Sequence, residues 1–386
     1  DYITARGDRF ITLPEMVGVP AEELMPVVPT NQQPWTRLIS GSGFTAIHEL
    51  TNFFWAFMIV ATILTVIKTL AVSWLAIRNR RSEKKLALTD PDFIPPVSVL
   101  IAAYNEAKVI EATLRSVLDT SYTGEMEIIV VDDGSQDDTA AIVADLAETD
   151  KQIRLIRQSN RGKAIALQHG LSAAQHGILV TLDADTQFTP ETIGQLVAPF
   201  VDPRVGAVSG RARVGNLKTI FARFQSLEYT CGFNLDRRAY HQLNCITVVP
   251  GAVSALRVSA VQAAGGISND TLAEDTDLTL ALHKCGYHVH YASQAIAWTE
   301  APETMRTFAR QRFRWAFGTL QCLWKHRELL FNSRYHALAW FSLPSSWFFN
   351  IFLVAFGSVI DLILLVSLIV SPANIILYFY FFVFLA

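Results

Sequence analysis

Residues 97–135, VSVLIAAYNEAKVIEATLRSVLDTSYTGEMEIIVVDDGS, hold two short apolar runs with a helical stretch between them. Val97–Ala102 and Glu127–Val131 are rich in aliphatic and β-branched residues, and they read as buried strands. Glu106–Leu118 reads as the helix that joins them. The alternation continues downstream, with strands at Ile153–Ile156, Ile178–Leu182 and Gly206–Ser209. Helices fall at Thr139–Glu148, Lys163–Ala174 and Glu191–Pro199. Strands separated by helices predict an α/β fold with a parallel sheet, whose ligands sit at the carboxyl ends of the strands. Tyr104-Asn105-Glu106, Asp132-Asp133 and the pair Asp183 and Asp185 all fall at such ends.

Outward from this region the composition changes. Of the 386 residues, 51% are hydrophobic and only 17% charged, more apolar than is usual for a soluble enzyme of this size. The excess lies toward the ends. From about His48 to Ile77 the chain is apolar apart from Lys68, beyond the roughly 20 residues that cross a bilayer. Arg78-Asn79-Arg80-Arg81 and Lys84-Lys85 follow. A basic flank marks the cytoplasmic side, which puts the N-terminus outside. Phe349 to Val370 predicts a second span, with the ionisable Asp361 inside it, and Ile375–Ala386 reads as the start of a third. The chain thus divides into an extracytoplasmic segment (1–42), a transmembrane helix (43–77), a basic cytoplasmic linker (78–94) and the α/β domain (95–300). Interface helices (301–334) and a transmembrane region (335–386) complete it.

The formal net charge of -3, with no basic patch interleaved with aromatics, excludes a general nucleic-acid binder. Four cysteines (Cys231, Cys245, Cys285 and Cys322) have no metal-ligand spacing and read as reduced thiols. Downstream of the α/β domain, Thr304 to about Lys325 reads as an amphipathic helix on the cytoplasmic membrane face. It carries Gln311-Arg312-Phe313-Arg314-Trp315. Gln311, Arg314 and Trp315 fall at i, i+3 and i+4 and share a helical face. That face offers an amide, a guanidinium fork suited to phosphate and an aromatic ring. Arg306, Arg310 and Arg312 read as interfacial charges only.

These motifs, in this order, resemble the processive family 2 glycosyltransferases, the membrane synthases of cellulose, chitin, hyaluronan and poly-N-acetylglucosamine. The resemblance runs from Pro96 to about Arg327. It rests on Ala103-Tyr104-Asn105-Glu106, Val131-Asp132-Asp133-Gly134-Ser135, Arg161-Gly162-Lys163-Ala164, Asp183-Ala184-Asp185, Glu274-Asp275 and the Gln-Arg-x-Arg-Trp run. It implies a GT-A fold, a UDP-sugar donor, Mg²⁺ or Mn²⁺, and an inverting transfer that builds a β-linked polysaccharide. Two positions depart from the pattern: Ala273 stands where many members have threonine, and Gln168 where asparagine is frequent. Arg6–Val19 resembles the tail of a polysaccharide deacetylase domain. A deacetylase fused or associated there implies N-acetylglucosamine as the sugar, although an extracytoplasmic leader accounts for the same residues.

Roles follow from chemistry and from the resemblance together. Asp183 and Asp185 alternate past a strand, which aims both carboxylates one way and suits a hard divalent cation shared with phosphate oxygens. A solvated turn at a strand end is the plainer account of the pair. Asp275, at the start of a helix, is the expected general base, stabilised as a carboxylate by the helix dipole. Glu274 and Asp277 compete for that role. Asn105, Glu106, Asp132, Asp133 and Lys163 are expected at the nucleotide, an expectation resting more on the resemblance than on spacing. Arg314 is expected on the departing diphosphate and Trp315 beneath the acceptor sugar. The expected partners are a UDP-sugar, a growing polysaccharide and the lipid bilayer. The rival readings are a synthase of another β-glycan, a non-processive transferase acting on a lipid carrier, and a non-catalytic subunit that binds polymer.

Overall fold

The computed structural model describes residues 12–20, 34–83, 92–359 and 362. Residues 1–69 and 70–386 form two compact units. Helix α1 (Leu13–Val17) belongs to the first, and α2 (Pro34–Glu83) begins there. Asn52–Arg81 and Leu338–Val359 are each long and apolar enough to cross a membrane. The first helix is longer at both ends than the expected 43–77, and the second begins before Phe349. Asp361, the expected third span at 375–386 and the Lys84-Lys85 pair lie outside the described residues. So do residues 6–11 of the segment that resembles a deacetylase.

The second unit is built on one mixed eight-stranded sheet. In chain order its elements are β1 (Val97–Ala103), α3 (Ile110–Leu118), β2 (Met126–Asp132), α4 (Thr139–Thr149), β3 (Ile153–Arg157), α5 (Lys163–Ala173), β4 (Ile178–Asp183) and β5 (Gln187–Phe188). There follow α6 (Thr192–Val197), β6 (Val205–Val214), α7 (Ile220–Glu228), α8 (Asn234–Gln242), β7 (Ser254–Arg257), α9 (Val258–Ala263), α10 (Glu274–Lys284), β8 (His288–Thr299) and α11 (Met305–Lys325). The spatial order is β3-β2-β1-β4-β7-β6-β8-β5. The first four strands are mutually parallel, but β7 runs antiparallel to both β4 and β6, and β5 antiparallel to β8. Strand β6 pairs in parallel with β8, and the two antiparallel steps through β7 return β6 to the direction of β4, so the expectation of a parallel sheet holds for every strand but β5 and β7.

Alternation along the central strands explains why helices cover both faces. Val97, Val99, Ile101 and Ala103 enter one buried cluster with Ile128, Val130 and Leu182. Leu100, Ile129, Val131 and Leu179 enter the other. Three strands were not anticipated, the two-residue β5 among them. In β8 the buried residues alternate with exposed or half-buried ones, and His288, His290, Ser293 and Gln294 interrupt the apolar signal. Strand β7 is only four residues long.

Strand order places the crevice. β1 lies between β2 and β4, so the chain leaves it in opposite directions on either side, and the carboxyl ends open a gap there. Ala103 aligns with Asp132 across one side, and Ala102 with Asp183 across the other.

Candidate active site

The loop after β1 departs from the expected helix at Glu106, since α3 begins only at Ile110. Asn105 takes a left-handed conformation (φ 58), one that a short amide side chain tolerates better than most. Its N–H donates to Ser135 Oγ at 2.9 Å, and its Oδ1 accepts from the Gln136 N–H at 2.8 Å. The Glu106 N–H donates to Thr139 Oγ1 at 2.8 Å. Asn105 thus ties the loops after β1 and β2 together.

The two aspartates ending β2 differ. Asp133 is buried, and both of its oxygens are engaged: Gln158 Nε2 (2.7 Å), Arg161 N–H (2.9 Å) and Gly162 N–H (2.8 Å) all donate to it. It holds the loop into α5, where Gly162 takes φ 94 and delivers Lys163 to the helix start. Asp132 is also buried. Its Oδ1 accepts from the Ser135 N–H at 3.1 Å, while Oδ2 has no hydrogen-bond partner and faces Arg157 Nε at 3.7 Å.

Lys163 is the hub. Its Nζ donates to Asp183 Oδ1 at 2.5 Å and lies 3.6 Å from Glu274 Oε1. Burial opposes its charge, but Asp183 and Glu274 outweigh that and hold the ammonium above its usual range. Gly251 completes the contact, because a Cβ there would come within 2.9 Å of Lys163 Nζ and 3.5 Å of Asp183 Oδ1. Nothing in the motif pattern pointed to Gly251.

Asp185 accepts from Thr186 Oγ1 (3.2 Å) and Thr299 Oγ1 (3.4 Å), and burial together with Asp183 pushes it up to about 6. Glu106 goes up to about 7 through burial and the charges of Asp185, Glu300, Asp183 and Asp137. Glu300, just past β8, is a further carboxylate that the sequence reading missed. Carboxylates that raise one another in this way are what a divalent cation relieves, and hard oxygen donors suit Mg²⁺ or Mn²⁺. Among the described residues no group of three or more potential ligands gathers. A cation held by Asp183 and Asp185 would therefore take its other oxygens from phosphate or water.

Glu274 and Asp275 open α10. Burial, then the charge of Glu274, push Asp275 up to about 6 against the pull of Lys163. Its Oδ1 accepts from the Thr276 N–H at 2.7 Å. Asp277 is occupied elsewhere. It is buried, and it takes Lys325 Nζ at 2.8 Å and His326 Nε2 at 2.7 Å.

Helix α11 packs on the loop before α10. Thr304 caps it, in a capping box with Thr307. Gln321 Oε1 accepts from the Leu272 N–H at 3.0 Å. A Cβ on Gly318 would stand 2.8 Å from both Ala273 Cβ and Ala273 N. The alanine at the usual threonine position and Gly318 together permit this close approach. Trp315 lies one turn before Gly318 on the same side of α11, which brings the motif to the residue preceding Glu274. Gly318→Ala should therefore push α11 off this loop. We expect a loss of transfer of up to about 10²-fold with little change in the donor KM. Ala273→Gly in the same chain should restore part of it, which steady-state kinetics of the two variants will measure.

Within the motif, Gln311 and Trp315 are half-buried while Arg314 is exposed, so the shared face divides. Gln311 Oε1 is buried without a partner. Arg312 is not merely an interfacial charge. Its two terminal nitrogens donate to the Glu228 carboxylate at 2.6 and 2.5 Å, and its guanidinium lies 4.7 Å from the Phe308 ring and 4.8 Å from the Trp315 ring. Phe233 stands on Trp315 at 6.1 Å. It ends a π-helical turn, Tyr229–Phe233, that joins α7 to α8, a rare geometry found often at functional sites.

Comparison with known proteins accords with this geometry. Residues 98–263 match the family described as glycosyl transferase family 2. The chain is 34% identical over 228 residues to a poly-β-1,6-N-acetyl-D-glucosamine synthase of Staphylococcus aureus (strain COL), covering 59% of this chain and 55% of that protein. It is 34% identical over 277 residues to the "probable glycosyltransferase YdaM" of Bacillus subtilis (strain 168), covering 69% and 65%. The chain thus spans just over half the length of the staphylococcal relative. Among solved structures it resembles a mannosyltransferase from Pyrobaculum calidifontis in complex with GDP-mannose and Mn²⁺. The TM-score is 0.57 and the identity 25%, with 78% of this chain and 91% of that one covered. The region from Ser98 to Ala263 is a family 2 glycosyltransferase domain of GT-A fold.

Proposed function

We propose that this glycosyltransferase moves N-acetylglucosamine from UDP-N-acetylglucosamine to the end of a growing β-linked polysaccharide, processively and with inversion. The observation that carries the reading is the meeting of Lys163, Asp183 and Glu274 beside Asp275, with α11 bearing Trp315 packed against Ala273. That meeting supports a crevice in which donor-phosphate chemistry, a carboxylate base and an aromatic platform act together.

In this reading Asp275 takes the proton of the acceptor hydroxyl. The hydroxyl oxygen attacks the anomeric carbon from the side opposite the nucleotide, the bond to the departing diphosphate breaks, and the configuration inverts. Lys163 and Arg314 meet the negative charge that leaves with UDP. Asp132 has an oxygen available for the nucleoside, while Asn105 and Asp133 shape the walls around it. Glu106 stands beside the carboxylates, and Gln311 offers its amide to the acceptor. Asp183 and Asp185 would hold Mg²⁺ or Mn²⁺, whose chemistry there is neutralisation of diphosphate charge.

The sugar is favoured by the name of the staphylococcal relatives and by the N-terminal resemblance to a deacetylase, which would act on an N-acetyl group. The apolar helices Asn52–Arg81 and Leu338–Val359 support placement in the cell membrane. The basic flank after the first supports a cytoplasmic catalytic domain.

UDP release by the reconstituted full-length protein tests the reading. UDP-sugars, with GDP-mannose as a contrasting donor, are offered singly with Mg²⁺ or Mn²⁺, and the products are sized. Long hexosaminidase-sensitive chains from UDP-N-acetylglucosamine alone are expected. Single-sugar products would favour the non-processive reading, and donor binding without turnover the non-catalytic one.

A further inference from the structure

Arg237 is the buried cation that the site as described so far does not use. It is 7% exposed and lies on α8 one turn after the π-helical turn that carries Phe233. Among the described residues no carboxylate lies within ion-pair distance of its guanidinium and no acceptor bonds to it; Nε is sealed from solvent without a partner. Its guanidinium lies 5.4 Å from the Phe233 ring. A guanidinium taken out of water without a counter-charge is costly, and a ring face returns only part of that cost.

The position bears on the site. Phe233 neighbours both Arg237 and Trp315, its ring tilted by 57° to that of Trp315. Arg312 also lies 4.8 Å from the Trp315 ring, and its Nε is likewise buried without an acceptor. Two guanidinium groups, each with a buried and unpartnered Nε, thus lie beside this pair of aromatic rings. Burial draws the Arg237 guanidinium below its usual range, against the opposing influence of Tyr291, Tyr229, Asp275 and Asp236.

We propose that Arg237 is a further anion-binding residue of this site, and that its counter-charge is a phosphate group of the nucleotide diphosphate. The proposal rests on the reading that the donor is a nucleotide sugar. A phospholipid headgroup offers the same chemistry, so the test separates the two sources.

The experiment titrates UDP and uridine into the full-length protein in neutral detergent, comparing wild type with Arg237→Met and Arg237→Lys. Arg237→Met should weaken UDP binding at least tenfold, leave uridine binding unchanged and raise the thermal midpoint, because an unpaired buried charge has been removed. Arg237→Lys, which keeps the charge and loses the fork, should fall between the two. Wild-type affinity for UDP in Arg237→Met would overturn the proposal. So would a lowered midpoint with UDP and uridine weakened alike, which is the signature of a structural role. If only the binding of phosphatidylglycerol vesicles changes, the source is the lipid and the nucleotide assignment falls. A wild-type protein that binds neither UDP nor GDP removes the donor reading itself, and the proposal with it.

Discussion

Asp275→Asn should lower the rate of sugar transfer by about 10²–10⁴ in a protein that still folds and binds donor. The amide matches the carboxylate in shape and can keep the contact with the Thr276 N–H through its oxygen, but it cannot accept the acceptor proton. Because burial and Glu274 push Asp275 up to about 6, the wild-type kcat should fall as the pH drops below about 6, where the base becomes protonated. Asp185 also goes up to about 6, but its protonation touches the cation and the donor, so its limb should appear in the donor KM. A pH profile of kcat and kcat/KM separates them. The assignment fails if Asp275→Asn turns over at the wild-type rate while Asp277→Asn does not.

Asp277→Ala should have the largest effect on stability. The carboxylate is 3% exposed, and burial disfavours its charge. Lys325 and His326 outweigh burial and hold it below its usual range. Removing one member of such a buried set typically costs about 3 kcal/mol or more; the partly exposed Lys325 puts the expectation at the lower end. The depressed value fixes the sign with pH: the contribution is present above the ordinary carboxylate range and is lost as the pH falls toward the folded-state value. Thermal unfolding of the detergent-solubilised protein should show a large drop in midpoint for Asp277→Ala at neutral pH. The drop should be smaller for Asp277→Asn, which keeps an acceptor for both donors. At a temperature where it is folded, Asp277→Asn should retain most of its turnover. An unchanged midpoint in Asp277→Ala would mean that the clamp between α10 and α11 carries no stability.

Both predictions separate carboxylates that look alike in the chain. Glu274, Asp275 and Asp277 all lie in the first turn of one helix, and local spacing could not rank them. Packing does so, because Asp277 faces α11 while Asp275 faces Lys163 and Glu274. Arg312 and Arg314 part in the same way. Two residues apart on a helix, they point to different surroundings: Arg312 forks onto Glu228, whereas Arg314 is exposed.

By itself the sequence determined the strand–helix alternation from Val97 to Leu182, the two apolar helices and the placement of the acidic motifs at strand ends. Each is a local property, since period-2 and period-3.6 patterns and runs of apolar residues are written along the chain. Only the tertiary structure decided that β6, β7 and β8 extend the sheet with β7 antiparallel to both neighbours and β6 parallel to β8, because strand direction depends on partners far away in the chain. It also decided which acidic side chain is free and which is clamped, why Gly318 must lack a side chain, and that Arg237 is buried without an anion. Those facts arise where segments up to a hundred or so residues apart meet, and neither propensity nor spacing encodes the distance between atoms on different elements.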